Sequence, residues 1–270
     1  MSHIGNYLES LFSLKGKIIL LTGAAGGIGQ AFASGLAAAG GCIAMCDIDD
    51  KKCEEIALQL NEKGLNAKAY KLDVSDSASI KECVSSVIAD YGKIDVLINC
   101  AGINKREGFL DVDEETYDRI MGINLKGAFM LSQEVAKHMI TRKQGNIINI
   151  GSHNDEGMLG GCGVYGAAKS GLRAFTRSMA VEWAKHGIRA NSLSPGHIIT
   201  PLTTVTWEHP TRSNYLTERI AMQRPGKPEE LVGMCIMLAS DASSYMSGQA
   251  YHVDGGYLCG GNPWDFDTEY

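Results

Sequence analysis

The chain has 270 residues, of which 44% are hydrophobic, and a formal net charge of −6. This length fits one α/β domain over residues 1–270 with a large core. The acidic balance, without a run of more than two basic residues, argues against nucleic-acid or anionic-membrane partners, and no apolar stretch approaches the roughly 20 residues of a membrane span.

The first predicted strand leads directly into a glycine-rich turn. Residues 17–22 form a continuous apolar run, as expected for a strand covered on both faces, and a helix is predicted over about 30–39. Between them, Gly23, Gly27, Ile28 and Gly29 lie where backbone N–H groups and the positive end of a helix can bind a pyrophosphate. We therefore assign them to a dinucleotide cofactor.

Asp47 follows the second predicted strand, 42–46. A carboxylate at this point can accept hydrogen bonds from ribose hydroxyls and would repel a 2′-phosphate. The glycine turn contains no Arg or Lys, so NAD is favoured over NADP. The alternative is that Asp47 caps the helix predicted over 50–62, although Asp49 could serve instead.

The alternation of strands and helices continues, which predicts a right-handed, doubly wound parallel sheet. Asp73 and Val74 follow the third strand; Asp73 either bonds the adenine amino group or is a turn or cap residue. After the fourth strand, Gly102 would let the backbone pass close to the cofactor, and Asn99 would brace the strand ends. The elements predicted here are strand 67–72, helix 78–91 and strand 94–99.

Lys105 and Arg106 lie in the loop after the fourth strand, where ligands bind in such sheets. They either recognise a substrate carboxylate or form a solvated pair of charges. Arg106 is the better candidate, because a guanidinium can bind a carboxylate through two hydrogen bonds.

Asn124 lies inside a predicted helix over 114–142, where an asparagine is locally unfavourable. It could hold a water molecule in a proton relay, or it could be a satisfied core amide. A fifth strand over 145–150 then leads to Ser152.

Tyr165 and Lys169 are four residues apart at the start of a helix predicted over 167–183, so they share one helix face. A close ammonium favours the phenolate, and lowering the pKa by about three units requires roughly 4 kcal/mol. With Ser152 bonding an alcohol or carbonyl oxygen, these residues predict an acid/base site for proton transfer. A Tyr and a Lys on a solvated helix are the alternative.

The remaining segments complete the predicted fold. A proline-containing segment over about 197–227, with little regular periodicity, is predicted to be a substrate lid. The tail 256–270 is Gly-rich, then aromatic and acidic, and would be disordered or dock on a neighbouring subunit. The other elements are strand 188–193, helix 229–238 and strand 249–254.

Three further features of the sequence concern the cellular location of the protein and whether it binds a metal. The N-terminus lacks the basic region of a signal peptide, and eight cysteines without a C-x-x-C pair predict free thiols in a reducing cytoplasm. Cys162 near the candidate site is interpreted as a packing residue. The seven histidines show no metal-ligand spacing, so no metal is expected.

Across residues 14–258 the chain resembles the short-chain dehydrogenase/reductase family. The matching motifs, specific in their order and spacing, are Thr22-Gly23-x-x-x-Gly27-x-Gly29, Asn99-x-Ala101-Gly102, Asn124, Ser152, Tyr165-x-x-x-Lys169 and Pro195-Gly196-x-x-x-Thr200. Cys100 departs from the family pattern, which usually has Asn there.

The resemblance implies a single Rossmann-type sheet of about seven strands with helices on both faces, in a homotetramer or homodimer. Tyr165 would be the general acid/base, its pKa lowered by Lys169 and the oxidised nicotinamide. Ser152 would orient the substrate oxygen, and Asn124 would hold the relay water. Besides the glycine turn and Asp47, the assigned cofactor contacts are Asp73, Val74, Asn99, Ala101, Gly102, Tyr165, Lys169, Pro195, Gly196, Ile198 and Thr200.

Within the family, residues 101–106 and 114–120 resemble gluconate 5-dehydrogenases and related sugar or polyol dehydrogenases. Polar residues after Ser152 also suggest a hydroxyl-rich substrate, although Asp155 and Glu156 would repel a carboxylate if they faced inward. We expect an NAD-dependent dehydrogenase of a sugar acid or polyol. The alternatives are a neutral polyol or ketose substrate, an NADPH-dependent ketone reductase and a non-catalytic redox sensor. The assigned substrate contacts are Arg106, Ser152, His153, Asn154 and Tyr165.

Overall fold

The computed structural model describes residues 3–260, so the part of the predicted tail over 261–270 lies outside the described residues. Seven strands form one sheet in the order β3-β2-β1-β4-β5-β6-β7, and every pair is parallel. The strands are β1 (Ile18–Thr22), β2 (Cys42–Asp47), β3 (Asn66–Lys71), β4 (Val96–Asn99), β5 (Gly145–Ile150), β6 (Ile188–Pro195) and β7 (Ala250–Val253).

Helices cover both faces of this sheet, which confirms the predicted doubly wound fold. They are α1 (His3–Phe12), α2 (Gly27–Ala38), α3 (Asp50–Glu62), α4 (Ser77–Tyr91), α5 (Glu114–Met121), α6 (Ala128–Arg142), α7 (Gly163–Trp183), α8 (Thr204–Trp207), α9 (Pro210–Thr217) and α10 (Val232–Ala239).

The continuous apolar runs of the central strands are buried on both sides. Every residue of β1, β4 and β5 is buried, as expected for parallel strands between two layers of helices. Phe32 and Leu36 of α2 and Leu238 of α10 pack in the core on one face. Val87 of α4 and Leu131 of α6 pack in the core on the other.

The strand order reverses between β1 and β4. The chain runs outward from β1 to β3 and then returns to the other side of β1. The loops after β1 and β4 therefore diverge and leave a crevice at the carboxyl ends of the strands, where ligands bind in open α/β sheets.

The segment expected to be an irregular lid contains two helices, α8 and α9, so its predicted irregularity is wrong. Helices of four and eight residues are too short to display a clear 3.6-residue period. Pro210 occupies the first turn of α9, where its fixed φ suits a helix and its missing N–H costs nothing. Helix α1 was also not predicted.

The predicted helix over 114–142 is interrupted by a π-helical turn, Gly122–Gly127, between α5 and α6. The Nδ2 atom of Asn124 donates a hydrogen bond to the Ile120 carbonyl oxygen at 2.9 Å. This side chain thus competes with the backbone for an acceptor within the helix. Within residues 3–260, no helix combines the length and the apolarity needed to cross a bilayer.

Candidate active site

A cavity of about 530 Å³ occupies the crevice between the loops after β1 and β4. With two exceptions, Asn99 and Asn124, every residue that the sequence assigned to catalysis, cofactor or substrate lies on its wall. Motifs spread over almost 180 residues of sequence therefore meet in one place.

The glycine turn between β1 and α2 is shaped by close backbone contacts. Gly23 has a φ of +65°, and a Cβ atom added there would lie 2.8 Å from the Ala101 Cα. A Cβ on Gly29 would overlap the Gly23 carbonyl oxygen. Helix α2 begins at Gly27, so the unpaired N–H groups of its first turn face the cavity, which fits the pyrophosphate of a dinucleotide.

Asp47 lies on the cavity wall beside this turn. Its Oδ2 atom accepts a hydrogen bond from the Ala25 N–H at 3.0 Å, and its Oδ1 atom accepts one from the Asp49 N–H at 3.1 Å. Asp49 caps α3 by accepting from the Lys52 N–H. The alternative in which Asp47 caps the helix is therefore wrong, and its carboxylate lies on the cavity wall with lone pairs left to accept bonds from a ribose.

Lys52 is a cation on the same wall that the sequence analysis missed. It lies five residues after Asp47, in the first turn of α3, and this turn starts at the ligand-binding edge of the sheet. That position was the available signal. A lysine at this point attracts a phosphate, so its effect on cofactor choice opposes that of Asp47.

Asp73 takes the role of a turn residue. Its Oδ1 atom accepts hydrogen bonds from the N–H and the hydroxyl of Ser75, at 2.8 and 2.6 Å. Asp73 nevertheless lies on the cavity wall, where it can also meet the cofactor.

Asn99 braces the sheet and is not among the residues that line the cavity, so its assignment as a cofactor contact stays a prediction. Its Nδ2 atom donates to the Ser132 hydroxyl at 2.9 Å and to Asn149 Oδ1 at 2.8 Å. These bonds tie the end of β4 to β5 and α6, which is the bracing role expected from the sequence.

Asn124 holds the loop after β4. Its Nδ2 atom donates to the Ile103 carbonyl oxygen at 2.9 Å, and its Oδ1 atom accepts from the Ile103 N–H at 3.1 Å. With the bond to Ile120, both amide hydrogens are used within the protein. The side chain is therefore a satisfied amide that positions the loop carrying Arg106, while its role in holding a relay water stays a prediction.

Ser152, Tyr165 and Lys169 converge on the cavity from the end of β5 and the start of α7. Helix α7 begins at Gly163, four residues earlier than predicted, so Tyr165 and Lys169 are both helical. The Lys169 Nζ atom lies 5.6 Å from the centroid of the Tyr165 ring and donates to the Ile150 carbonyl oxygen at 2.7 Å. Ser152 lies close enough to the Tyr165 hydroxyl to act on its pKa.

Burial controls the protonation of both ionisable groups. It raises the pKa of Tyr165 to about 12, against the opposing effect of the Ser152 hydrogen bond. It lowers the pKa of Lys169 to about 8. The expected lowering of the Tyr165 pKa is therefore not found in the protein alone, because desolvation disfavours the phenolate more than its neighbours stabilise it.

The acidic residues after Ser152 do not face the cavity. Asp155 Oδ2 accepts from the Ser194 hydroxyl at 2.8 Å, and Asp155 Oδ1 lies 2.9 Å from His252 Nε2. Glu156 forms an ion pair with Arg173. Both carboxylates are thus paired outside the cavity wall and do not contact a substrate directly, although the charge of Asp155 still contributes to raising the pKa of Tyr165.

The two adjacent cations after β4 separate. The Lys105 Nζ atom lies 2.8 Å from Glu107 Oε2 and donates to the Thr116 hydroxyl at 3.0 Å, away from the cavity. Arg106 lies on the cavity wall, and its Nη1 atom donates to the Thr206 hydroxyl of α8 at 2.8 Å. Arg106 therefore links the loop after β4 to the segment predicted as a lid.

Sequence reasoning also missed Asn104, His197 and Trp207, all on the cavity wall. His197 directly follows Pro195 and Gly196 at the end of β6, and this position was an available signal. Trp207 belongs to helix α8, which was not predicted, and no feature of the sequence pointed to it. Within residues 3–260, no group of three or more His, Cys, Asp or Glu side chains is arranged to hold a metal ion.

Comparison with known proteins gives consistent matches. A family model described as enoyl-(acyl carrier protein) reductase matches residues 23–258. The chain is 37% identical to the 5-keto-D-gluconate 5-reductase of Escherichia coli (strain K12), over 93% of this chain and 99% of that protein. It is 35% identical to the D-threitol dehydrogenase of Mycolicibacterium smegmatis, over 91% of this chain and 94% of that protein.

Its structure resembles that of a gluconate 5-dehydrogenase from Burkholderia cenocepacia, crystallised in complex with NADP and tartrate. The TM-score is 0.91 at 36% identity, and the match covers 93% of this chain and 99% of the other. From the motifs in the cavity and these matches, the chain belongs to the short-chain dehydrogenase/reductase family, and it is an NAD(P)-dependent oxidoreductase that acts on CH–OH groups.

Proposed function

We propose that the protein interconverts a secondary alcohol and the corresponding ketone of a sugar acid, with NAD(H) as its cofactor. The observation that carries this proposal is Arg106, a guanidinium on the wall of the cavity that Ser152 and Tyr165 also line, bonded to the Thr206 hydroxyl. A guanidinium binds a carboxylate through two charge-assisted hydrogen bonds, which also fix its orientation.

The acid/base residues divide the work of proton transfer. When bound, the nicotinamide supplies the hydride acceptor or donor. The phenolate oxygen of Tyr165 would take the proton from the substrate alcohol in oxidation, and the resulting phenol would return it to the ketone oxygen in reduction. Ser152 orients the same substrate oxygen, and the Lys169 ammonium stabilises the phenolate of Tyr165.

The surroundings of Arg106 support a carboxylate. The carboxylates of Asp155 and Glu156 do not line the cavity and have partners of their own. A substrate carboxylate would replace the Thr206 hydroxyl as the partner of Arg106, and so would exchange a neutral acceptor for a charged one. The similarity to a 5-keto-D-gluconate 5-reductase agrees with this substrate class.

Two observations favour other candidates. The similarity to a D-threitol dehydrogenase favours a neutral polyol, for which Arg106 would have no charged partner. The Lys52 ammonium on the cavity wall favours NADP over NAD, and the Burkholderia cenocepacia structure contains NADP. We retain NAD because the Asp47 carboxylate lies on the wall beside the glycine turn. The family resemblance supports a homotetramer or homodimer, and eight free thiols support a cytoplasmic location.

Substrate class is tested by steady-state kinetics with D-gluconate and its neutral counterpart D-glucitol, each with NAD+ and NADP+. We expect wild-type enzyme to prefer the acid. Loss of two charge-assisted hydrogen bonds in Arg106→Ala should lower kcat/KM for gluconate by about 100-fold or more. Activity with glucitol should stay within about twofold.

Lys105→Ala is the matched control, because it removes the adjacent cation that points away from the cavity. It should leave both activities near the wild-type values. Preference for glucitol over gluconate, or equal losses for both substrates in Arg106→Ala, would replace the sugar-acid proposal with a polyol dehydrogenase.

A further inference from the structure

Four aromatic side chains form a cluster at the substrate end of the cavity. The ring centroids of His153 and His197 are 4.4 Å apart, and each histidine lies within 4.8 Å of the Tyr257 ring. Trp207 of α8 meets the edge of His197 at 6.1 Å. His153, His197 and Trp207 lie on the cavity wall, whereas Tyr257 stands behind them.

Three nitrogen atoms of this cluster have no hydrogen-bond partner among residues 3–260. They are His153 Nε2, His197 Nε2 and Trp207 Nε1. Both histidines are more than nine-tenths buried, with exposures of 5% and 8%. Buried polar atoms are nearly always hydrogen-bonded, so three unpartnered nitrogens on one wall indicate partners that come from outside the chain.

The two histidines are neutral at physiological pH. Burial lowers the pKa of His153. It lowers the pKa of His197 to about 3, with His153 and Arg106 acting in the same direction. His153 Nδ1 lies 3.4 Å from the Pro195 carbonyl oxygen, which can only accept. The proton is therefore on Nδ1, and Nε2 presents a lone pair; Trp207 Nε1 can only donate.

We propose that His153, His197 and Trp207 form a subsite for the hydroxyl groups next to the reacting carbon of a polyhydroxylated substrate. Each hydroxyl both donates and accepts, so it can satisfy an acceptor such as His153 Nε2 and a donor such as Trp207 Nε1. Arg106 would hold the far end of the substrate, and the three nitrogens would hold its middle.

This subsite rests on the proposed function, and it determines specificity. When the buried polar groups of a site have only substrate hydroxyls as partners, the site rejects analogues without hydroxyls, because the protein's polar groups then stay unpaired. Simple secondary alcohols should therefore be poor substrates. Trp207 directly follows Thr206, the partner of Arg106, in helix α8. A substrate hydroxyl bonded to Trp207 would therefore contact the same helix that Arg106 binds.

The test is His197→Phe, which keeps an aromatic ring against Tyr257 but removes the nitrogen. The substrates are the best polyhydroxylated compound among gluconate, glucitol and threitol, and cyclohexanol as a secondary alcohol without neighbouring hydroxyls. We expect kcat/KM for the polyhydroxylated substrate to fall roughly 10- to 100-fold, mainly through KM. The value for cyclohexanol should stay within about twofold.

A purely structural role makes the opposite prediction for stability. Removing an unpartnered buried nitrogen should leave Tm unchanged or higher, whereas loss of a packing contact would lower it. His197→Gln retains polar atoms and should recover part of the discrimination. Tyr257→Phe is the control within the cluster, since Tyr257 does not line the cavity, and it should leave both substrates unaffected.

If His197→Phe lowers kcat/KM equally for both substrates, or for neither, the subsite proposal is overturned. A wild-type enzyme that turns over cyclohexanol but none of the polyhydroxylated compounds would also overturn it. The failure of the sugar-acid proposal is a separate outcome. A preference for glucitol or threitol would refute the carboxylate anchor while leaving the hydroxyl subsite to be measured on the neutral polyol.

Discussion

Lys169→Met removes the ammonium next to Tyr165 but keeps an unbranched side chain of similar length. The Lys169 Nζ atom lies 5.6 Å from the centroid of the Tyr165 ring. With the ring centroid taken as the position of the phenolate charge, two unit charges 5.6 Å apart interact by about 3 kcal/mol at an effective dielectric constant of about 20. This corresponds to about two units in the pKa of Tyr165.

The same substitution should stabilise the fold at neutral pH. Burial lowers the pKa of Lys169 from 10.5 to about 8. A lysine whose folded-state pKa lies below its unfolded value destabilises the protein fully below pH 8, and this penalty disappears as the pH rises through 10.5. The difference of about 2.5 units (10.5 − 8) sets an upper limit of about 3 kcal/mol. Loss of the bond to the Ile150 carbonyl oxygen reduces the gain.

The assay is the pH profile of kcat/KM for alcohol oxidation. Oxidation requires the phenolate of Tyr165, so the rate rises with pH along the acid limb. In Lys169→Met this limb should move upward by about two units, which lowers the rate by about 100-fold on the limb. The difference should shrink above pH 8, where the wild-type ammonium loses its proton. Ketone reduction, which needs the protonated phenol, should be less impaired.

Urea unfolding at pH 7 and cofactor titration by fluorescence separate these effects from misfolding and from weaker cofactor binding. An acid limb that stays in place while activity falls would refute the electrostatic role of Lys169. A Met variant that is less stable than wild type at pH 7 would refute the reasoning about its buried charge.

Two further predictions concern the cofactor. Asp47→Ala removes a negative charge near the 2′-position of the adenosine ribose, so the ratio of kcat/KM with NADP+ to kcat/KM with NAD+ should rise roughly tenfold. Lys52→Ala removes a positive charge and should lower the same ratio. Unchanged ratios in both variants would show that the 2′-position lies elsewhere. Gly29→Ala forces a Cβ into the Gly23 carbonyl oxygen, so dinucleotide affinity by fluorescence titration should fall at least about tenfold and Tm should drop by several degrees. Gly233→Ala, in α10 with open space around its Cα, is the control and should keep both values.

Local rules of sequence determined most of the architecture. Buried parallel strands read as continuous apolar runs, and helices between them follow caps and periodicity, so seven strands and the doubly wound sheet were predictable. The crevice followed from the same alternation, because the loops at the carboxyl ends of parallel strands must meet there. Short helices such as α8 escaped prediction, since they are too short to show a period.

The glycine turn, Asp47, Ser152, Tyr165 and Lys169 were identifiable for a related reason. Their chemistry depends on local backbone shape or on a spacing within one element, such as the i, i+4 pair at the start of α7. Sequence therefore predicted the candidate acid/base group and its position at the edge of the sheet. It also identified Arg106 as the better of two adjacent cations, from guanidinium geometry alone.

Only the tertiary structure decided which polar groups are already paired and which remain available. Asp155 and Glu156 turn away from the cavity to partners in β6, β7 and α7, and Asn124 satisfies its amide on the loop after β4. The raised pKa of Tyr165 likewise depends on burial by distant segments. Hydrogen-bond partners and desolvation are set by contacts between residues far apart in the chain, and no local pattern of residues encodes those contacts.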